Sequence, residues 1–372
     1  MPQQAAISPF HGPCRRAGQA LRPNAALLSI VAAHLALAAG FSQIYDAAFN
    51  PDTIQQLGLL FGVMIPLYLL ALLVWRFLQM IGHYRPQRPI RWLLGDIGAI
   101  LSDGPRIAGG LAALLAISAF AGSFSFLKEL IPTITTFGWD PALARLDRAL
   151  HLGTDPWRLL EPLLGAPRLI TALNVAYHAW FVVMYFVVFL ACFARPDEGA
   201  RSAFLVAFVL TFFIGGNVLA MLFASAGPVY FDRLGLGGDF RALLEMLRIA
   251  HEVSPVQALN VHEALWEGYR TGEGVSGISA MPSMHVAVAT LLALYGFRYA
   301  PWAGWLLTGF AGVIMAGSVM LAWHYAIDGY AGALVAWGCW RLALRMTTPR
   351  AAQSSITSDT GRRGAGDGAS AG

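Results

Sequence analysis

The chain has 372 residues, of which 57% are hydrophobic and only 12% are charged. A soluble domain carries about 25% charged residues, so this composition excludes an ordinary soluble protein. The formal charge of +4 does not indicate nucleic-acid binding, because the arginines lie mainly between apolar blocks, as they do in membrane proteins. We expect no nucleic-acid partner; the expected partner is the lipid bilayer.

Eight apolar blocks follow one another along the chain, and a membrane-spanning helix needs about 20 such residues. They cover residues 25–41, 57–81, 107–127, 169–193, 202–224, 282–299, 302–323 and 324–345. The expected fold is therefore an all-α integral membrane protein with about eight transmembrane helices. The first block contains Ala36-Leu37-Ala38, which resembles a signal-peptidase site, so cleavage there is an alternative.

The basic residues are divided unevenly between the two sets of connections that join these blocks. Of the 25 Lys and Arg, 16 lie in the set that includes both termini and nine lie in the other set. Because cytoplasmic connections carry the excess, we expect both termini in the cytoplasm and the long connections 128–168 and 225–281 outside. Residues 1–24 and 346–372 are predicted to be a disordered arm and tail. The expected location is a bacterial plasma membrane.

Each outer connection contains an amphipathic segment. Asp140-Pro141 predicts a helix start with Asp140 at the N-cap, and leucines recur on one face at 143, 146 and 150. The second segment has its apolar residues at Phe240, Leu243, Leu244 and Leu247. Two interpretations stay open for both: helices that lie in the membrane interface, or cover packed on the bundle.

The cysteines and carboxylates do not indicate a metal or a cofactor. Cys14, Cys192 and Cys339 contain no CxxC pair, which argues against a zinc site or a disulfide framework. No acidic cluster has metal-ligand spacing.

Ionisable residues within membrane spans indicate function, and the predicted topology brings three together. His285 lies at the outer mouth of the sixth block, and the chain turns at residues 298–301 before it returns to His324 and Asp328. At about 1.5 Å per residue, both histidines return to the same membrane face. Residues four apart share one side of a continuous helix, so Asp328 can orient the His324 imidazole as a base or nucleophile. A second histidine can protonate a leaving oxygen.

The sequence Ala-Met-Pro-Ser-Met-His at 280–285, followed by His-Tyr-Ala-Ile-Asp at 324–328, resembles two signature motifs of the type-2 phosphatidic acid phosphatase superfamily. It resembles more closely the branch that contains inositol phosphorylceramide synthase and sphingomyelin synthase. A Gly-Pro-aromatic stretch at 225–231 also resembles this branch. The resemblance implies a six-helix catalytic core over 107–345, preceded by two helices and a cytoplasmic loop in 25–106.

The same resemblance implies roles for individual residues. His324 would form a phosphohistidine, Asp328 would orient it, and His285 would protonate the leaving group and then act as base. Ser283 would hold phosphate oxygens at a helix start. Further candidates for substrate binding are Gly227, Pro228, Tyr230, Arg233 and His178. The implied function is metal-independent transfer of a phosphate or a phospho-head group, of the inositol-phosphate type, between membrane lipids.

Two departures from the phosphatase pattern concern the cations that clamp phosphate. No KxxxxxxRP motif precedes Pro228, and Gly317-Ser318 stands where the phosphatases have Ser-Arg. Arg233, Arg270 and Lys128 are candidate substitutes, or they are ordinary solvated charges. The synthase branch lacks the same cations, which favours transfer between lipids.

Other functions stay open at this point. One alternative is a phosphatase that hydrolyses phosphatidate or isoprenoid (pyro)phosphate. A transporter also places Asp and His inside a bundle, and paired histidines also ligate haem. His178 is either a pocket residue or a hydrogen-bonded bundle residue.

Overall fold

The computed structural model describes residues 21–49, 51–195, 199–272 and 277–347, and these described residues contain helices and no β-strand. Most of the predicted arm (1–20) and of the predicted tail (348–372) lies outside the described residues. The division of the chain into an arm, a helical pair, a core and a tail stays a prediction.

The chain begins with two long helices, α1 (Ala25–Ile44) and α2 (Pro51–Gln79), and α2 ends in a π-helical turn. The next helix, α3 (Pro89–Ser102), lies in a connection where the sequence predicted no helix. It has no buried residue, and a two-pronged ion pair between Arg76 and Asp96 holds it against the end of α2. Its apolar side chains are therefore not part of the bundle core.

The remaining helices follow in chain order. The helix α4 (Gly104–Glu129) leads into a first long connection with α5 (Asp140–Leu150) and α6 (Pro156–Leu164). Two further bundle helices are α7 (Pro167–Cys192) and α8 (Gly199–Thr211), and α8 continues as a π-helix over Phe212–Leu219. The second long connection contains α9 (Arg241–Val253) and α10 (Ala258–Thr271). The chain closes with α11 (Met284–Tyr299), α12 (Pro301–Met320) and α13 (Ala326–Thr347).

Among the described residues, six segments are long and apolar enough to cross a membrane. They are Arg22–Ile44, Gly62–Tyr84, Gly104–Ile134, Pro167–Cys192, Ala200–Leu222 and Pro301–Met320. The helix α11 has only 16 residues, and α13 carries Asp328 and two arginines. The predicted total of eight spans therefore stays a prediction for these two helices.

The tight hairpin predicted between the sixth and seventh blocks is confirmed. The helix α11 ends at Tyr299, and α12 begins at Pro301 after a single extended residue, Ala300. Proline at the first position of α12 has no N–H to leave unpaired, which suits so short a link. Because of this hairpin, the start of α11 and the end of α12 lie at the same end of the bundle, so the two histidine motifs lie there as well.

The two long connections pack on each other at that end. The Trp139 amide donates to the Ala224 carbonyl at 3.2 Å, and Arg148 forms an ion pair with Asp239. The apolar face of α9 is buried, with Leu243 and Leu247 at most 1% exposed, and α9 packs on α7. Of the two interpretations of this segment, the structure selects cover on the bundle.

The leucines of α5 do not share one environment, so both interpretations of this helix stay open. Leu143 is buried, but Leu146 and Leu150 are 47% and 57% exposed, whereas the carboxylates of Asp140 and Asp147 are buried. Asp140 is not the N-cap either: it is the first helical residue, and Trp139 precedes it without a side-chain cap. The reason is that both acids accept hydrogen bonds from the rest of the protein.

Asp147 caps a helix other than its own. Its two carboxylate oxygens accept from the backbone amides of Ala326 and Ile327, each at 3.0 Å. These amides open α13, where the first N–H groups of a helix have no acceptor within it. Asp140 accepts from the amides of residues 226 and 227 at 2.8 Å and from the Tyr325 hydroxyl at 2.9 Å. The helix α5 therefore fixes the two loops that flank the histidine motifs.

We predict that Asp147→Ala destabilises the protein by about 2–4 kcal/mol, because it leaves two buried amides without an acceptor. Thermal unfolding of the detergent-purified protein measures this loss. Asp239→Ala is the matched control, since it removes only a surface ion pair worth at most about 1 kcal/mol. Equal losses in the two variants would contradict the capping role.

Candidate active site

His324 and Asp328 form a contact pair at the start of α13. His324 Nδ1 lies 3.4 Å from Asp328 Oδ2, and the side chains are 8% and 0% exposed. The same carboxylate oxygen accepts from the Tyr325 amide at 3.1 Å. With Nδ1 facing the carboxylate, Nε2 of His324 is left as the nitrogen free to act on a ligand.

The contact does not arise from a continuous helix, as the sequence analysis assumed. The helix α13 begins at Ala326, so His324 lies before it in a turn whose amide donates to the Ser318 carbonyl at 3.0 Å. The block was expected to begin at residue 324, and the helix begins two residues later. The turn is possible because Asp147, and not the preceding residues, satisfies the first amides of α13.

His285 is held by aromatic side chains of α7. Its ring stacks on Tyr177 and tilts against Trp180, each with a centroid separation of 4.2 Å. The Trp180 indole donates to the His285 carbonyl at 3.0 Å, which fixes the backbone as well. No hydrogen bond from another described residue engages the imidazole nitrogens of His285, so they are available to a ligand.

The two histidines line a common cavity of about 510 Å³. Its polar end also contains residues from α4, α7, the second outer connection and the turn between α12 and α13: Lys128, Glu129, Tyr177, His178, Tyr230 and Trp323. From there an apolar arm runs into the bundle between α4, α7 and α8, lined by Ile117, Phe120, Ala121, Phe124, Met184, Phe208 and Phe212. The cavity thus joins a polar end to apolar walls, as an amphiphile joins a polar group to a hydrocarbon chain.

Of the other residues predicted to bind substrate, two line this cavity. His178 is one, and its Nδ1 lies 2.8 Å from the Asn174 carbonyl, so Nδ1 carries the proton and Nε2 is free. Tyr230 is the second, and its hydroxyl donates to the His262 carbonyl at 2.9 Å. Both residues have one polar atom fixed by the backbone, which orients their rings.

Three of the predicted residues have structural positions instead. Ser283 is fully buried as the N-cap of α11, where its hydroxyl accepts from the Val286 amide. Gly227 has a φ of +91°, and a side chain there would collide with the Trp323 carbonyl. Pro228 is buried at the start of a 3₁₀ turn. These residues fix the backbone around the site, and they do not themselves line the cavity.

The three candidate cations have different surroundings. Arg233 is paired with Glu263 and lies over the Trp266 ring, and Arg270 is paired with Glu267. Neither lines the cavity. Lys128 does, and it makes no ion pair with any described residue. At the position where the phosphatases have an arginine, Ser318 is fully buried.

Sequence reasoning assigned no site role to Tyr177, Trp180 and Trp323, or to the two clamping acids. The hydroxyl of Tyr177 and the indole N–H of Trp323 are buried without a partner among the described residues. For the acids the sequence carries a signal that was not used. Asp140 and Asp147 are seven residues apart and so lie on the face of α5 that also carries Leu143.

Burial shifts the pKa of three groups in the outer connections. It raises the pKa of the Asp140 and Asp147 carboxyls, and their amide donors oppose this shift. It lowers the pKa of His262 to about 3. His262 is therefore neutral at neutral pH, and its ring packs edge-on against Trp323 at 4.2 Å.

Comparison with known protein families agrees with this arrangement of residues. A model of the PAP2 superfamily matches residues 141–342, which is more than half of the chain. The chain belongs to the PAP2 superfamily. Neither a curated protein nor a solved structure matches it.

The PAP2 match covers His285, His324 and Asp328, but it starts within α5 and leaves α1–α4 outside. The predicted core began earlier, at residue 107, so Lys128 belongs to the part that the family model does not match. PAP2 membership and the apolar helices make this an integral membrane protein of a superfamily of phosphatases and phosphotransferases that act on lipid substrates. Among the described residues of this PAP2 protein, no group of three or more His, Cys, Asp or Glu is arranged to hold a metal ion.

Proposed function

We propose that this protein transfers a phosphate or a phospho-head group between membrane lipids through a phosphohistidine on His324, without a metal. The observation that carries the proposal is the cavity itself, which joins a polar end containing His285, His324 and Lys128 to an apolar arm. Family membership alone supports the coarser statement of a lipid phosphatase or phosphotransferase.

The first half of the reaction uses the two histidines in different roles. Nε2 of His324 attacks phosphorus, while Asp328 stabilises the positive charge that develops on the ring. The bond from phosphorus to the leaving oxygen breaks, and protonated His285 gives that oxygen its proton. Asp328 is fully buried and its Oδ1 has no partner among the described residues, so its charge is poorly screened and acts strongly on the imidazole.

In the second half the acceptor hydroxyl loses its proton to His285 and attacks phosphorus. The bond between phosphorus and Nε2 breaks, and the electron pair returns to the His324 ring. Two buried donors, the Tyr177 hydroxyl and the Trp323 indole, line the same space without partners among the described residues. Buried donors of this kind are normally satisfied, which supports a polar ligand at this end of the cavity.

Lys128 is the cation best placed to bind the phosphate. Its stem runs along Gly277, where an added side-chain carbon would lie 3.5 Å from the Lys128 Cγ. Of the three candidate cations, Lys128 is the one that lines the cavity together with the two histidines.

Transfer is proposed over hydrolysis because of the motifs that resemble the inositol phosphorylceramide and sphingomyelin synthase branch. The proposed head group is therefore of the inositol-phosphate type, and the acceptor is a lipid alcohol. The proposed site faces the outside of a bacterial plasma membrane, with both termini in the cytoplasm.

The test of this function is incubation of the purified protein with a panel of phospholipids and lipid alcohols, followed by mass spectrometry of the products. We expect a new phospholipid that carries the donor's head group on the acceptor. Free phosphate or free head group as the sole product would replace transfer by hydrolysis, and no product from any lipid would leave a transporter as the better interpretation.

Three variants separate the roles in this scheme. His324→Ala is expected to abolish both turnover and acid-labile phosphate labelling. Asp328→Asn is expected to lower the rate by several orders of magnitude and to keep the fold. His285→Ala is expected to spare leaving groups of low pKa, such as nitrophenol, which need no proton. Labelling on His285 would exchange the two roles, and product without any label under rapid quench would mean direct transfer.

Lys128→Met is predicted to weaken donor binding by about tenfold to a hundredfold, because it removes a charge-assisted contact with the phosphate. The measurement is kcat/KM for the lipid donor at fixed acceptor. Arg233→Met is the control, as that arginine is already paired with Glu263. A larger loss in the arginine variant would move the phosphate site to the outer connection.

The proposed orientation is tested by a cysteine introduced at Gly237, in the second long connection. Cys192 and Cys339 are buried, so they are poor targets for an impermeant thiol reagent, and Cys14 is replaced by serine in the tested protein. We expect the introduced cysteine to react in intact cells. Modification only after permeabilisation would invert the topology.

A further inference from the structure

The apolar arm of the cavity has a definite depth. On α4 its lining residues Ile117, Phe120, Ala121 and Phe124 form one helical stripe that leads up to Lys128. Ile117 lies 11 residues below Lys128, or about 16 Å at the rise of an α-helix. On α7 the lining runs from Tyr177 to Tyr185, about 12 Å. The two helices therefore indicate an arm of similar length beneath the histidines.

We propose that this arm holds a hydrocarbon chain of the lipid substrate inside the bundle and selects substrates by chain length. The inference rests on the proposed function, since it assigns the arm to the lipid whose phosphate reaches His324. The occupant follows from continuity: the polar end binds the charged group, and what is covalently attached to it must extend along apolar walls. Water is a poor occupant, because it finds few hydrogen-bond partners there.

The arm positions the substrate and contributes little to affinity. A lipid tail already lies in hydrocarbon before it binds, so its transfer into a protein pocket yields little hydrophobic free energy. The arm instead positions the substrate: a hydrocarbon chain that fills it fixes the distance of the phosphorus atom from His324. Chain length should therefore act mainly on the rate of the phosphate-transfer step.

The width of the arm depends on a small residue on α4 and on a glycine in the π-helical segment of α8. At Gly216 an added side-chain carbon would lie 2.6 Å from the Phe124 ring, so this ring packs directly on the backbone. Ala121 lies seven residues below Lys128, about 10 Å down the arm. A larger residue at 121 would block the lower part of the arm and leave the polar end unchanged.

The chain offers a matched control two residues away. Ala119 is on the same helix but is exposed on the outer surface of the bundle, and it does not line the cavity. Ala119→Phe and Ala121→Phe thus add the same side chain to α4 on opposite faces. A difference between them reports on the arm and not on the helix.

The experiment compares kcat and KM for lysophosphatidylinositols with butanoyl, octanoyl and hexadecanoyl chains, at a fixed concentration of one lipid-alcohol acceptor, in the wild type and both variants. We expect Ala121→Phe to lower kcat/KM for the hexadecanoyl substrate by about tenfold or more, as overpacking does, and to spare the butanoyl substrate. Ala119→Phe should match the wild type for all three. Equal loss at every length in Ala121→Phe, or no loss, would overturn the proposal while the proposed function stands.

A second measurement does not need turnover or a folded Ala121→Phe variant. A hexadecanoyl lysophosphatidylinositol with a photoreactive diazirine at the chain end is irradiated with the inactive His324→Ala variant. We expect crosslinks at Ile117 or Phe208. Crosslinks confined to outward-facing residues such as Leu115 would place the chain in the bilayer and overturn the proposal. If the wild type turns over no phospholipid, the proposed function fails, and so does the inference.

Discussion

The site depends on two carboxylates that are not part of it. The first backbone amides of a helix have no acceptor within the helix, and the helix that starts at Ala326 presents such amides to the protein interior. A local capping residue would have to lie just before this helix, which is where His324 lies. Asp147 supplies the cap from another segment, so residues 324 and 325 are free to form a turn. Without this acceptor the amides of Ala326 and Ile327 would draw the preceding residues into a local cap, and the His324 ring would move.

Asp140 completes the clamp on the same face of α5. It binds the amides of the Gly-Pro loop and the hydroxyl of Tyr325, the residue between His324 and the helix. The carbonyl of Asp328 accepts from the Ser283 amide at 2.9 Å, which ties the two histidine motifs together directly. The geometry of the candidate site thus depends on hydrogen bonds to the backbone of three loops, and the hairpin α11–α12 only brings the loops near each other.

The sequence predicted the helices well where apolar length decides, and it predicted the convergence of His285, His324 and Asp328 on one end of the bundle. It did not predict what the outer connections do. The sequence analysis placed the buried face of α5 by its leucines and assigned Asp140, which precedes a proline, to the N-cap. Both rules describe an isolated helix and take no account of partners elsewhere in the chain. Whether Asp140 and Asp147 are buried depends on partners more than 80 residues away.

Ser283 shows the same limit, since position at a helix start does not tell whether a hydroxyl faces a ligand or its own backbone. The catalytic roles themselves stay predictions.

The location of Lys128 connects the family match to the proposed chemistry. The matched segment holds both histidine motifs, and the cation that we propose for the phosphate lies on α4, outside that segment. A lysine is a single, strongly hydrated charge on a flexible stem, whereas an arginine holds phosphate with a rigid, two-pronged fork. A site built with arginines can orient a phosphoryl group through contacts with the phosphate oxygens alone. A site with one lysine fixes it less, so the remainder of the substrate must be oriented by other contacts. In our proposal such contacts come from the apolar arm on one side and, on the other, from the Tyr177 and Trp323 donors, which have no partner among the described residues. This division of labour favours a substrate that is recognised by its chain and head group, and thus a phosphodiester over a terminal phosphate.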